Sequence, residues 1–90
     1  MFESSDPQRA VRLPEGIDLH ARPAGILVRT ASAYQSAITL SAGDKCADAK
    51  SILQVLALGA TGGTEVAVAA SGSDASEALE AISSLLATLS

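Results

Sequence analysis

Among its 90 residues the chain has no tryptophan, one tyrosine (Tyr34), one phenylalanine (Phe2), one cysteine (Cys46) and one histidine (His20). With aromatics so scarce and apolar residues at 48%, a core must be assembled from Ala, Val, Ile and Leu. Ninety residues suffice for one modest domain, 1–90, without disulfide staples. A single cysteine excludes an intrachain disulfide and suits a reducing compartment, so the chain is expected to be cytoplasmic. Cys46 itself reads as a small, partly buried residue. One histidine and one cysteine are too few for a zinc site, and neither a metal nor another cofactor is expected. No apolar run approaches the ~20 residues of a membrane span. No basic segment followed by an apolar stretch stands near the start, so no secretory leader is expected.

Basic residues are missing altogether beyond Lys50. Residues 1–50 hold six basic and six acidic side chains, and residues 51–90 hold four acidic ones and none basic. A net charge of −4 with so few aromatics argues against nucleic acid as a partner. Also missing are a Gly-Lys-Ser/Thr phosphate loop and a Ser-His-Asp set, so the chain does not read as a stand-alone enzyme.

What is present centres on Leu19-His20-Ala21-Arg22-Pro23-Ala24. Proline fixes φ and lacks an N–H, so it belongs in the first turn of a helix. Pro23 in that turn places His20 at or near the N-cap, with free N–H groups and the positive end of the helix dipole facing its imidazole. Such an end is a ready anion site, and Arg22 adds a fixed cation able to clamp phosphate. The dipole favours the neutral, nucleophilic imidazole, which is a competent phosphoryl acceptor. The small residues Ala21, Ala24 and Gly25 leave room for a docking partner. The alternative is that His20 is an ordinary solvated residue. One His and one Arg can hold and pass a phosphoryl group, while donor and acceptor chemistry must come from other proteins. Arg9, Arg12 and Arg29 lie within about ten residues of His20 and could steer anionic partners there, or be plain surface charge.

Periodicity sets the frame. Residues 1–7 are polar and expected to fray. Arg9–Leu13 alternates and reads as a strand, as do Ser36–Ala42, Lys45–Ala49 and Thr64–Ala70, with Gly43-Asp44 closing a hairpin. A helix from His20 to about Ala33 places Ala24, Leu27, Val28 and Ala31 on one face. Gly25 within it costs about 1 kcal/mol relative to Ala, which suggests a close approach beneath it. Ser51 caps a short helix, Ile52–Leu58, stopped by Gly59. Asp74 with Glu77 forms a capping box for a last helix to about Thr88, whose stripe of Ala78, Leu79, Ile82, Leu85, Leu86 and Leu89 is core. The expected fold is α+β with order βαββαβα: an open-faced sandwich, a four-stranded antiparallel sheet with three helices on one face.

His20-Ala21-Arg22-Pro23-Ala24 and Ala49-Lys50-Ser51-Ile52-Leu53 together resemble HPr, the histidine-containing phosphocarrier family of the bacterial phosphoenolpyruvate-dependent sugar phosphotransferase system. Leu58-Gly59, Gly63-Thr64 and Ala70-Ser71-Gly72 also fit, and the likeness covers residues 9–88. The resemblance implies that His20 accepts a phosphoryl group on Nδ1 from enzyme I and passes it to an enzyme IIA in sugar uptake, with Arg22 stabilising the phosphate. It implies that Ser51 is a candidate regulatory phosphoserine, addressed by an HPr kinase/phosphorylase, although the residue is equally readable as a plain helix cap. A phosphate on an N-cap serine suits its helix, so its effect would fall on docking. It further implies that Ile52, Leu53 and Leu56, with Ala21 and Pro23 beside His20, form an apolar docking surface, unless some of the three face the core. A monomer is expected, since no apolar face is left over for a subunit.

One stretch departs from the family. Gly-Ile or Gly-Leu ordinarily stands directly before the histidine, whereas this chain has Gly16-Ile17-Asp18-Leu19-His20. Either two residues are inserted, or Asp18 takes the glycine's place in a left-handed conformation. In both cases a carboxylate lies close to the phosphate site and opposes an attached anion. Rival readings are a carrier for a dihydroxyacetone or nitrogen-related phosphorelay, a binding module regulated through Ser51, and a small-ligand-binding domain indifferent to His20.

Overall fold

The computed structural model describes residues 7–89. The elements are β1 (Gln8–Arg12), α1 (Ala21–Ser32), β2 (Ala37–Ala42), β3 (Lys45–Asp48), α2 (Ile52–Leu58), β4 (Glu65–Ser71) and α3 (Ala75–Ala87). The strands lie in the order β1-β4-β2-β3, every neighbouring pair antiparallel. Register places Val11 opposite Val66, Leu40 opposite both Val68 and Ala47, and Ile38 opposite Ala70. The two-residue period of a strand sends all of these to one face, and all are buried. The helices cover that face: α3 packs on β1, β2 and β4, α2 on β2 and β3, and α1 on α2 and α3. The other face presents small side chains such as Ala10, Ala37, Cys46 and Ala67 to solvent. The expected open-faced βαββαβα sandwich is therefore the fold observed.

The short helix α2 is bounded by side-chain and backbone chemistry. Ser51 Oγ accepts from Gln54 N at 3.3 Å at its start, and Gly59 closes it in the left-handed conformation (φ 67°) that a glycine adopts without steric cost. Among the described residues no helix is long and apolar enough to cross a membrane.

Four expectations need correcting. Gly25 meets nothing: a Cβ built there has no heavy atom within 4 Å, because Ala24, Leu27 and Ala31 form the buried face of α1 and position 25 lies one residue round the helix from Ala24. Cys46 is exposed, since it shares the uncovered sheet face with Ser41, its cross-strand partner. The Asp74–Glu77 capping box does not form. Instead the Asp74 carboxylate accepts from Gln35 N (2.9 Å), Ser36 N (2.9 Å) and Ser36 Oγ (2.5 Å). Pairing of Ala37 with Ser71 carries these donors up to the 72–74 turn, so closely that a Cβ at Gly72 would lie 2.7 Å from Ser36 Oγ. Finally, Pro7 is tied in, its carbonyl accepting from Ala70 N at 3.1 Å. The fraying expected for residues 1–6 lies outside the described residues.

Candidate functional site

The site begins with Leu19, which is fully buried while Asp18 and His20 on either side are exposed. Burying a leucine contributes roughly 1.5–3 kcal/mol, and its N–H donates to Ala60 O at 2.8 Å. The chain is thus nailed down one residue before the histidine. His20 is the N-cap of α1 in extended conformation (φ −152°, ψ 169°), and its side chain makes no capping bond. Its own N–H is taken up by Asp18 O at 2.9 Å.

Helix α1 then starts abruptly. Ala21 has φ 53°, and among the described residues it is the one non-glycine at positive φ. Left-handed backbone costs a residue with a Cβ roughly 1–2 kcal/mol, so the packing on both sides must hold it. Pro23 is the third helical residue, where its missing N–H removes a donor that has no helical acceptor anyway. Among the described residues the amides of Ala21 and Arg22 have no hydrogen-bond acceptor. They open toward solvent at the positive end of a twelve-residue helix. The Arg22 side chain is exposed and pairs with no carboxylate among the described residues. An imidazole, two free amides and a guanidinium therefore gather at one helix end, a set able to hold a phosphoryl group.

The other arginines divide. Arg9 pairs with Glu80 at 2.9 Å, and this hydrogen bond with its charge, aided by Ser84, lowers the Glu80 carboxyl below its ordinary value. Arg12 donates to Gly63 O at 2.6 Å. Arg22 and Arg29 remain exposed on α1 without carboxylate partners among the described residues.

The second motif lies along α2. Ser51 is half-buried at its start. Ile52, Leu53 and Leu56 are 40%, 77% and 41% exposed, so none of the three belongs to the core, whose α2 contribution is Val55 and Leu58. Because Leu19 bonds to Ala60 just past the far end of α2, His20 and Ser51 stand at opposite ends of this helix. The exposed side chains lie on the stretch between them, about 10 Å long. They are an apolar face left over, so the expectation of a monomer loses the reason given for it, that no such face exists.

The departure before His20 also has a definite geometry. Asp18 is not left-handed; Gly16 takes positive φ (81°) instead. The Asp18 carboxylate is turned to the 61–63 loop, where Oδ1 accepts from Gly62 N at 2.9 Å. Gly62 is required there, since a Cβ would come 2.6 Å from Gly16 N and 2.9 Å from Pro14 O. Sequence reasoning placed Asp18 near the phosphate site but missed this contact. The adjacent glycines 62 and 63 were its one signal. Also missed was Lys50, whose Nζ donates to Tyr34 O at 2.6 Å and ties the start of α2 to the end of α1. An open groove of about 510 Å³ beside Cys46, Asp48, Lys50 and Gln54 includes neither His20 nor Arg22. The histidine site is a surface, accessible to another protein.

A family profile described as "PTS HPr component phosphorylation site" matches residues 7–88. The chain is 39% identical over 56 residues to the phosphocarrier protein HPr of Mycoplasma capricolum, a match over 62% of this chain and 63%, just under two thirds, of that protein. It is 43% identical over 63 residues to the phosphocarrier protein HPr of Streptomyces coelicolor, over 69% of this chain and 68% of the other. The crystal structure of a phosphocarrier protein HPr from Bacillus anthracis superposes with a TM-score of 0.87 at 31% identity, over 92% of this chain and 99% of that one.

Proposed function

The chain belongs to the HPr phosphocarrier family of the phosphotransferase system, and on that premise we propose that it carries a phosphoryl group on His20. In this reading the imidazole Nδ1 attacks the phosphorus of phospho-enzyme I. A P–N bond forms as the donor's bond to phosphorus breaks, and the group passes to an enzyme IIA in sugar uptake. The observation that carries the reading is the exposed imidazole of His20 at the start of α1, beside the unfilled amides of Ala21 and Arg22 and the Arg22 guanidinium. These groups favour an attached dianion without enclosing it, as a carrier requires.

Ala21, Pro23, Ile52, Leu53 and Leu56 form the proposed docking surface, supported by the exposure of the three α2 side chains. Ser51 is the proposed regulatory phosphorylation site for a kinase/phosphorylase, at the other end of that surface. Its half-buried hydroxyl makes one long hydrogen bond, so it can be taken up by a kinase without dismantling the core. The protein is proposed to work as one domain in the cytoplasm and as a monomer, the exposed α2 face being taken up by its partner proteins rather than by a second copy.

The test is phosphorylation by enzyme I and phosphoenolpyruvate, followed by intact mass at neutral or alkaline pH. One added phosphate is expected, and none in His20→Ala. Wild type and variant behaving alike would end the carrier reading.

A further inference from the structure

Resting on His20 as the acceptor, we infer that Asp18 is the positioning residue of this site: its carboxylate fastens the β1–α1 loop to the 61–63 loop and thereby sets the direction in which His20 and the open amides of Ala21 and Arg22 face. The loop is pinned where it leaves the sheet, by Leu13 N to Thr64 O and Gly63 N to Leu13 O, both 2.9 Å. It is pinned again where it meets α1, by Leu19 N to Ala60 O at 2.8 Å. Between these points, residues 14–18 make a single hydrogen bond to the facing loop among the described residues, that of Asp18 Oδ1 with Gly62 N at 2.9 Å.

The same residue holds the histidine, because Asp18 O accepts from His20 N at 2.9 Å. Two bonds through one residue thus connect the 61–63 loop to the imidazole-bearing position. The join has no slack. Gly62 sits so close to Gly16 and Pro14 that any side chain would strike their backbone, and a carboxylate gives its amide a charge-assisted bond. Orientation follows directly, since the next residue, Ala21, is already forced to φ 53°. A loosened loop would let that strain relax by turning the helix start.

Asparagine separates the two roles, because its Oδ1 still accepts from Gly62 N while its charge is gone. The full chain and its Asp18→Asn and Asp18→Ala variants would be compared as substrates of phospho-enzyme I, with amide exchange of Gly62 and His20 followed by NMR and melting temperatures recorded. For Asp18→Ala the turnover is expected to fall ten- to a hundredfold, on the order of the cost of a misplaced reacting group. Its KM should change less than its turnover, since Ile52, Leu53 and Leu56 of the docking surface lie on α2 and are not moved, and protection of both amides should drop. Asp18→Asn should stay within about fivefold on every readout, because a neutral acceptor holds the Gly62 amide more weakly than a charged one but still holds it. Asparagine matching alanine, or alanine matching the wild type, overturns the proposal. If Asp18→Ala does not fold, Gly62→Ala parts the same loops with Asp18 intact and must give the same loss of turnover. If the wild type takes up no phosphate, it is the carrier reading that fails. The amide exchange then decides the role of Asp18 alone, with alanine losing and asparagine keeping protection.

Discussion

Ala21 is where residue chemistry and site geometry are in open conflict. Alanine is the best helix former, yet here it opens a helix with φ 53°, a region that suits glycine and penalises a Cβ. Replacing it by glycine removes a strain of roughly 1–2 kcal/mol and adds unfolded-state entropy worth about 0.5–1 kcal/mol. Ala21→Gly is therefore expected to leave stability unchanged or raise it by up to about 1.5 kcal/mol. Ala81→Gly, in the middle of α3, should lower stability by about 1 kcal/mol. Urea unfolding of the two variants makes the comparison. Equal losses would show that Ala21 carries no strain in solution.

Elements are joined in this fold by groups that cross between them, and Asp74 is the clearest case. Its carboxyl lies below its ordinary value of 3.8, first because Ser36 Oγ donates to it and next because Gln35 N does. A carboxyl whose folded value is depressed binds protons more weakly folded than unfolded. Its contribution is therefore complete above pH 3.8 and is lost as pH falls below it through the folded value. Glu80, lowered from 4.5 by Arg9, acts in the same direction. Thermal unfolding of Asp74→Ala is expected to give a lower melting temperature at pH 7 and a shallower decline below about pH 4 than the wild type. Parallel acid profiles would remove Asp74 from the account. The same residue shows what could be read in advance and what could not. The bounds of α2 follow from Ser51 and Gly59, because a cap acts on residues three or four positions away. Asp74 has the right neighbour, Glu77, for a capping box, but β2–β4 pairing brings Ser36 within reach and its buried hydroxyl needs an acceptor. Asp18 is similar: its partner Gly62 is 44 residues away. The place of His20 and Arg22 at the start of α1 was readable because Pro23 marks the first turn locally, whereas which of Ile52, Leu53 and Leu56 face solvent is decided by packing.

For the molecule as a whole, the uneven charge becomes a matter of geometry. The net charge is −4, which would slow the approach of an anionic partner, yet two of the three arginines without a carboxylate partner among the described residues lie on α1. Arg22 and Arg29 are seven residues apart, two helical turns, and so lie on one face, both exposed. Arg9 is neutralised by Glu80 and Arg12 is drawn to the 63 loop. Arg12 keeps its charge there, so steering toward the proposed acceptor draws on it together with Arg22 and Arg29 of α1, and long-range steering is screened once the Debye length drops from about 10 Å at 0.1 M to about 3 Å at 1 M salt. Arg29 stands well back from His20, so its contribution is to approach rather than to phosphate binding. Arg29→Glu is expected to lower kcat/KM for phosphorylation by phospho-enzyme I about three- to tenfold at low salt, with kcat unchanged. The difference should close as salt rises toward 1 M, as measured by stopped-flow transfer across a salt series. A loss of the same size at every ionic strength would mean that Arg29 is part of the contact itself, and the proposed docking surface would then have to extend two turns along α1.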